Sequence, residues 1–231
     1  AETGATILFA TDTFINQYAR AADKKDLSSL RMAVCGAERV KDETRTMLKN
    51  KFEVDIVEGY GLTEAAPVLA VNQPDANKPG TVGRLLPGTK AKLVPVNGID
   101  DGGQLHIAGP NIMRGYIRPS APLVLEAPSK GWHDTGDIVA IDKEGFLSIR
   151  GRVKRFAKLG GEMVSLAVVE NCATSLWPDS MHAAAAIPDK RKGEQIILLS
   201  TYKNAGRADF VAFAKNHGVT ELAVPKKIVI V

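Results

Sequence analysis

Near its start the chain alternates short apolar runs with stretches of helical period. Residues 6–9 form a brief apolar run, 14–20 suit a helix, and 32–35 read as a buried strand that ends at Gly36. Residues 41–51 are helix-like and charged, and 54–57 supply a third apolar strand. Short apolar strands separated by helices predict parallel βαβ packing, in which ligands gather at the carboxyl ends of the strands. Gly36-Ala37-Glu38 and Glu58-Gly59-Tyr60-Gly61 fall at such ends and are candidate binding loops.

After about Pro67 proline and glycine become frequent, and runs such as AKLVPV and GQLHIAG read as antiparallel strands between turns. Residues 138–141 and 146–149, joined by Asp142-Lys143-Glu144-Gly145, predict a hairpin with a glycine-closed turn. Past Gly151 the texture changes again. A helix is expected over 165–176 with Ser165 at its N-cap, strands over 183–187 and 196–202, a helix over 208–216 closed by Gly218, and a strand over 228–231. The expected organisation is therefore an α/β part over 1–66, a β-rich subdomain over 67–150 and a small α+β module over 151–231.

Composition narrows the function classes. The 231 residues are 45% hydrophobic and 24% charged, the profile of a folded domain with a real core. A formal charge of +4 is too weak to argue for nucleic acid, and no apolar run approaches the roughly 18 residues of a spanning helix. No basic region precedes an apolar stretch at the start, so no signal peptide is visible, and a cytoplasmic location is expected. The chain begins at Ala1 rather than methionine, which is expected of a piece of a longer protein. Cys35 and Cys172 each lie in apolar stretches and read as buried thiols. His106, His133, His182 and His217 are scattered without zinc-ligand spacing, and His133 reads as a half-exposed turn residue.

Three stretches carry candidate chemistry. In Gly59-Tyr60-Gly61-Leu62-Thr63-Glu64 the glycines admit close backbone approach, Thr63 offers a hydroxyl to a phosphate oxygen and Glu64 a carboxylate to Mg²⁺; the same residues also suit a strand-to-loop turn with an ordinary surface acid. In Trp132-His133-Asp134-Thr135-Gly136-Asp137, the Asp137 carboxylate suits a ribose diol, or the capping of a tight turn. The third, GRVKRFAKLGGE from Gly151 to Glu162, offers Arg152 to ribose or phosphate; a solvated basic linker has the same composition. Only Phe156 interleaves that basic run, so stacking of nucleic-acid bases is poorly supported.

Taken together and in this order, the stretches resemble the adenylate-forming superfamily of acyl-CoA synthetases, peptide-synthetase adenylation domains and luciferases. GYGLTE is similar to its YGxTE motif, WHDTGD to its TGD motif, GRVKRFAKLGGE to its hinge and thiolation loop, and CGAE at Cys35 to Glu38 to the loop lining adenine. LRMAVCGAERV, KPGTVGRLLPG, GPNIMRGY and GGEMVSL further resemble the branch that joins acyl-[acyl-carrier-protein] synthetase to 2-acylglycerophosphoethanolamine acyltransferase.

The resemblance implies the carboxyl-side part of the large adenylation domain, a βαβ layer plus a β-rich subdomain, followed by an incomplete small mobile domain. It implies that Gly36, Ala37, Glu38, Glu58, Gly59, Tyr60 and Gly61 frame the nucleotide base, that Thr63 holds the α-phosphate, and that Glu64 holds Mg²⁺. Asp137 would bind the ribose with support from Arg152, Lys154 would be the hinge, Gly160 and Gly161 would line the thiol channel, and Lys158 would be a further catalytic cation. The implied activity is ATP-dependent ligation of a fatty acid to the phosphopantetheine thiol of acyl carrier protein, with a long-chain acyl-CoA synthetase as the alternative and a non-catalytic nucleotide-binding or interaction module as a reading from another class. In the implied full-length protein, lysophospholipid would accept the acyl group and the inner membrane would be the place of work. An acidic carrier would be steered by the basic run 150–158 and by Lys190-Arg191-Lys192, which also read as a solvated loop. The family's TSGTTGxPK-like phosphate loop, its lysine near the C terminus and an HxxxxD acyltransferase motif are absent from this sequence, so little activity is expected of this piece alone.

Overall fold

The computed structural model describes residues 3–97, 99–189 and 193–231. The chain divides into two compact units. One comprises Ala1–Lys92, Leu105–Thr135 and Val139–Ile149, the other Leu93–Gln104, Gly136–Ile138 and Arg150–Val231.

The first unit begins with the expected alternation: β1 (Ile7–Ala10), α1 (Asp12–Ala21), β2 (Met32–Cys35), α2 (Asp42–Phe52), β3 (Asp55–Gly61), β4 (Val68–Val71) and β5 (Arg84–Leu85). These strands form one sheet in the order β1-β2-β3-β4-β5. The first three are parallel, with Phe9 opposite Val34 and Val34 opposite Val57, so β2 ends at Cys35 beside Glu58 while β3 runs on to Gly61. β3 then turns antiparallel onto β4 with an irregularity between Tyr60 and Gly61. Ile15 and Ala19 of α1 and Leu48 and Phe52 of α2 bury against Ala33, Cys35 and Ile56. Each large side chain so buried contributes about 1.5–3 kcal/mol. At the edge, Phe9 of β1 is exposed, and Phe14 and Tyr18 stack on the outer side of α1 at 6.2 Å.

The β-rich part supplies β6 (Lys90–Val94), β7 (Gly103–Ala108), β8 (Tyr116–Arg118), β9 (Ala121–Glu126), β10 (His133–Ile141) and β11 (Leu147–Arg152). β8 and β9 form a separate antiparallel pair, and the other four form a sheet ordered β11-β10-β7-β6. The predicted turn between β10 and β11 is present. The Asp142 carboxylate accepts the amides of Glu144 and Phe146 at 2.9 Å each, and Gly145 takes the left-handed conformation that closes the turn. Against expectation, His133 is no half-exposed turn residue. It begins β10 and is buried with its ring near Tyr116, because the strand runs five residues further toward the N terminus than the apolar run alone marked.

The second unit ends in a sheet of β12 (Phe156–Leu159), β13 (Glu162–Ser165), β14 (His182–Asp189), β15 (Gly193–Ser200) and β16 (Lys227–Ile230). Its order is β13-β12-β15-β14, with β16 parallel to β15. α3 (Leu166–Leu176) and α4 (Arg207–Asn216) cover it, burying Val169, Ala173 and Phe210. Ser165 stands at the N-cap of α3 as predicted, but its hydroxyl makes no capping bond, since the residue is also the last of β13. Lys190-Arg191-Lys192 lie outside the described residues.

Candidate functional site

In the first unit, Gly36, Ala37 and Glu38 follow the end of β2, whereas Glu58, Gly59, Tyr60 and Gly61, expected as a loop, lie within β3, which runs on past the apolar run to pair with β4. A methyl group built on Gly36 would lie 3.7 Å from the Gly59 carbonyl oxygen, and one on Gly59 would lie 3.5 Å from Val71 and from the Ala70 carbonyl. Both are ordinary contacts, so internal packing does not require glycine at either place. Gly61 differs: a methyl group there would fall 2.2 Å from the Pro67 carbonyl oxygen, where the chain crosses itself and Leu62 donates its amide to that oxygen at 2.8 Å. Ala37 adopts a left-handed conformation, φ +66°, which is costly for a residue with a Cβ.

The carboxylates nearby are engaged by the protein itself. Glu38 accepts the Thr13 amide at 3.0 Å and the Thr13 hydroxyl at 2.9 Å, and these bonds, the amide first, hold its carboxyl below the usual range. Glu58 is only 6% exposed and pairs with Arg45 of α2 at 2.7 Å, while Arg45 also donates to the Ile56 carbonyl at 3.0 Å. Tyr60 is buried one turn of pleat beyond. Burial, then the charges of Asp12, Glu58 and Glu38, push the Cys35 thiol up to about 12.

Thr63 and Glu64 lie on a single 3₁₀ turn, Thr63–Ala65. Thr63 is exposed and Glu64 half-buried. Tyr116 of β8 donates its hydroxyl to Glu64 Oε1 at 2.7 Å, and Met113 donates its amide to the Glu64 carbonyl at 2.8 Å. Asn111 holds the same turn from below through the Ala65 and Val68 carbonyls, each at 3.1 Å. The hydrogen bond to Glu64 raises the Tyr116 hydroxyl above its ordinary range, and Arg118 lies over the Tyr116 ring at 4.7 Å. Tyr116 also lines a cavity of about 680 Å³ with His106, Arg118, Glu126 and Trp132.

In the second unit, Asp137 is 3% exposed and meets Arg152 Nε at 3.0 Å. Lys154 sits in the 3₁₀ turn Val153–Arg155, and Lys158 lies on β12, where its amide bonds Glu194 at 2.5 Å. Gly160 and Gly161 make the turn between β12 and β13, both with left-handed φ. Arg155 grips Glu170 of α3 with two bonds of 2.6 and 2.7 Å, and Glu170 also accepts the Ala184 amide at 2.8 Å.

These contacts change the meaning of the basic run. Arg150 pairs with Asp101, Arg152 with Asp137 and Arg155 with Glu170. Within the run, Lys154 and Lys158 are the two cations with no ion pair to a described residue. The run is a set of local ties rather than a broad basic face.

Among the described residues no three His, Cys, Asp or Glu side chains converge as a cage. Glu64 offers one carboxylate with one oxygen already oriented, which fits Mg²⁺, an ion usually held by one or two carboxylates and substrate phosphates. Sequence reasoning missed Arg45, Tyr116 and Asp12. Of these only Asp12, an acid in the first turn of a helix, carried a local signal.

A family model described as AMP-binding enzyme matches residues 1–117. A 4-coumarate–CoA ligase-like protein of Arabidopsis thaliana is 35% identical over 191 residues, 79% of this chain and 34% of that protein. A long-chain-fatty-acid–CoA ligase of Salmonella typhimurium is 32% identical over 211 residues, 88% of this chain and 37% of that protein. Among solved structures, an ATP-bound RpMatB–BxBclM chimera superposes with a TM-score of 0.78 at 26% identity, over 98% of this chain and 47% of the chimera. The chain belongs to the AMP-binding enzyme family, and its mixed α/β fold is that of the adenylate-forming large domain as expected. It spans about a third of the length of these curated relatives.

Proposed function

We propose that the chain is the carboxyl-side part of an ATP-dependent acid–thiol ligase. The observation that carries this reading is the pair Gly36, just past the end of β2, and Gly59, beside it on β3, whose bare backbones the protein's own packing does not need. A flat base approaching both backbones would need them.

In this reading Gly36, Ala37, Gly59 and Tyr60 frame the base, Thr63 binds the α-phosphate, Asp137 with Arg152 takes the ribose, and Glu64 holds Mg²⁺, which would offset phosphate charge. Glu38 and Glu58 contribute through backbone, since their carboxylates serve Thr13 and Arg45. A carboxylate is a poor acyl donor because its oxide leaving group is strongly basic. Attack of the substrate carboxylate oxygen on the α-phosphorus expels pyrophosphate and forms acyl-adenylate. A thiolate then attacks the acyl carbonyl and expels AMP, a far better leaving group. The chain's contribution is positioning and electrostatics. The second step needs different groups at the same carbonyl, which suits rotation of residues 151–231 about Lys154, bringing Lys158, Gly160 and Gly161 to the incoming thiol.

Fatty acid is the proposed donor and acyl carrier protein the proposed acceptor, with acyl transfer to lysophospholipid at the inner membrane in the full-length protein. The support is the resemblance of GGEMVSL and its neighbouring stretches to that branch. CoA is the second reading for the acceptor, favoured by the two relatives named as CoA ligases. The loss of three arginines from the basic run to local pairs weakens the electrostatic case for an acidic carrier.

Thermal unfolding with a non-hydrolysable palmitoyl-adenylate analogue tests the nucleotide reading. At about a hundred times its Kd the analogue stabilises by about 2.7 kcal/mol. Asp137→Ala should abolish the shift; an equal shift in both proteins would overturn the assignment of Asp137. In the full-length protein, acylation of carrier protein with CoA inert would decide the acceptor.

A further inference from the structure

Two helices begin beside the loop that follows β2, and neither is capped by its own N-cap side chain. Thr11 precedes α1 and Lys41 precedes α2, and each lacks a side-chain capping bond. The missing acceptors come from across the sheet edge. Glu38, three residues before the α2 cap, accepts the amide and hydroxyl of Thr13 in the first turn of α1. Asp12, the first residue of α1 and buried, accepts the amide of Lys41 at 3.1 Å.

Each carboxylate thus satisfies the start of the other's helix and sits at the positive end of that helix's dipole. The two ties join residues 25 and 29 apart in sequence. They anchor the 36–40 loop at Glu38, directly after the left-handed Ala37, and at Lys41 just past its end. Strained backbone of this kind persists where the surroundings over-determine it. Further along, Asn16 bonds Thr44 at 3.0 Å and Lys51 bonds the Ala19 carbonyl at 2.9 Å, so the two helices are already joined beyond the loop. The reciprocal cap is what extends that joint to the strand ends.

We infer that Asp12 and Glu38 are positioning residues that hold the 36–40 loop in the shape that receives a nucleotide base. This rests on the nucleotide reading above, and it gives Glu38 a role other than ligand contact. The carboxylates act on AMP only through the backbone of Gly36 and Ala37. What each tie requires is an acceptor oxygen, not a charge, so Asp12→Asn and Glu38→Gln preserve the bonds and Asp12→Ala and Glu38→Ala remove them.

The experiment is amide-resolved NMR of this chain and the four variants, titrated with AMP to millimolar concentration. In the native chain, AMP should shift the Gly36, Ala37 and Gly59 amides. The alanine variants should speed exchange of the Thr13 and Lys41 amides and weaken AMP binding at least tenfold, while Asp12→Asn and Glu38→Gln stay within about threefold. Alanine variants that free those amides yet bind AMP as the native chain does would reduce the ties to helix caps and overturn the inference. No shift in the native chain would instead defeat the nucleotide reading, and the positioning role with it.

Discussion

Tyr116 and Glu64, 52 residues apart, share a hydrogen bond of 2.7 Å that sets the carboxylate before any ligand arrives. The hydroxyl takes Oε1, and the backbone of the same turn is held by Met113 and Asn111. The acid of the YGxTE-like motif is therefore oriented from β8, a strand that begins 52 residues later. If Glu64 holds the metal as proposed, a partner of this kind orients the ligating carboxylate and tunes its affinity.

Tyr116→Phe keeps the ring and deletes the donor. It should cost about 1 kcal/mol of stability. If Glu64 holds the metal, the concentration of Mn²⁺ that half-saturates binding in the presence of ATP should rise about tenfold or more, read by electron paramagnetic resonance. An unchanged metal affinity would detach Tyr116 from the site.

Gly61 and its neighbours Gly36 and Gly59 should separate cleanly by alanine substitution. Gly61→Ala drives a methyl group onto the Pro67 carbonyl and should cost about 1–3 kcal/mol, seen as a lower Tm. Gly36→Ala and Gly59→Ala should stay within about 0.5 kcal/mol of the parent in stability and lose AMP binding. Equal destabilisation at all three positions would remove the argument that two of these glycines are kept for a ligand.

The Arg45–Glu58 pair invites a double-mutant cycle. Glu58 is buried, and Arg45→Ala leaves its charge uncompensated, which should cost about 3–5 kcal/mol by urea unfolding. Replacing both, as Arg45→Met with Glu58→Leu, should recover most of that loss, because a buried ion pair repays little beyond its own desolvation. A double variant as unstable as the single one would mean that the pair is a net source of stability.

Cys35 should be inert in the native state. Its thiol is raised from 9.0 to about 12, so the folded protein retains a proton that the unfolded chain releases between those values. The neutral thiol thus contributes fully below about pH 9, and stability falls as pH rises through that window. Iodoacetamide at pH 8.5 should leave both cysteines unmodified until urea is added. The difference in pH–stability slope between the parent and Cys35→Ala should be confined to the alkaline side.

Much of the fold was legible because its signals are local. The 32–35 apolar run became β2, the Asp142–Gly145 turn closed its hairpin, and Gly218 ended the last helix. Fewer of the site's features were legible, since they depend on partners distant in sequence. Nothing near Glu38 announces Thr13, and nothing near Arg155 announces Glu170. A run of cations looks the same whether or not carboxylates elsewhere in the chain consume it. His133 misled for a related reason: a polar residue beside Trp132 reads as turn, and only its place at the head of a nine-residue strand buries it.

Arg152 and Arg155 have a mechanical consequence. One is tied to Asp137 and the other to Glu170 of α3, and the residues between them form a hydrogen-bonded 3₁₀ turn. If the chain turns at Lys154 as proposed, the Arg155–Glu170 tie would carry α3 round with it, as a crank carries its arm.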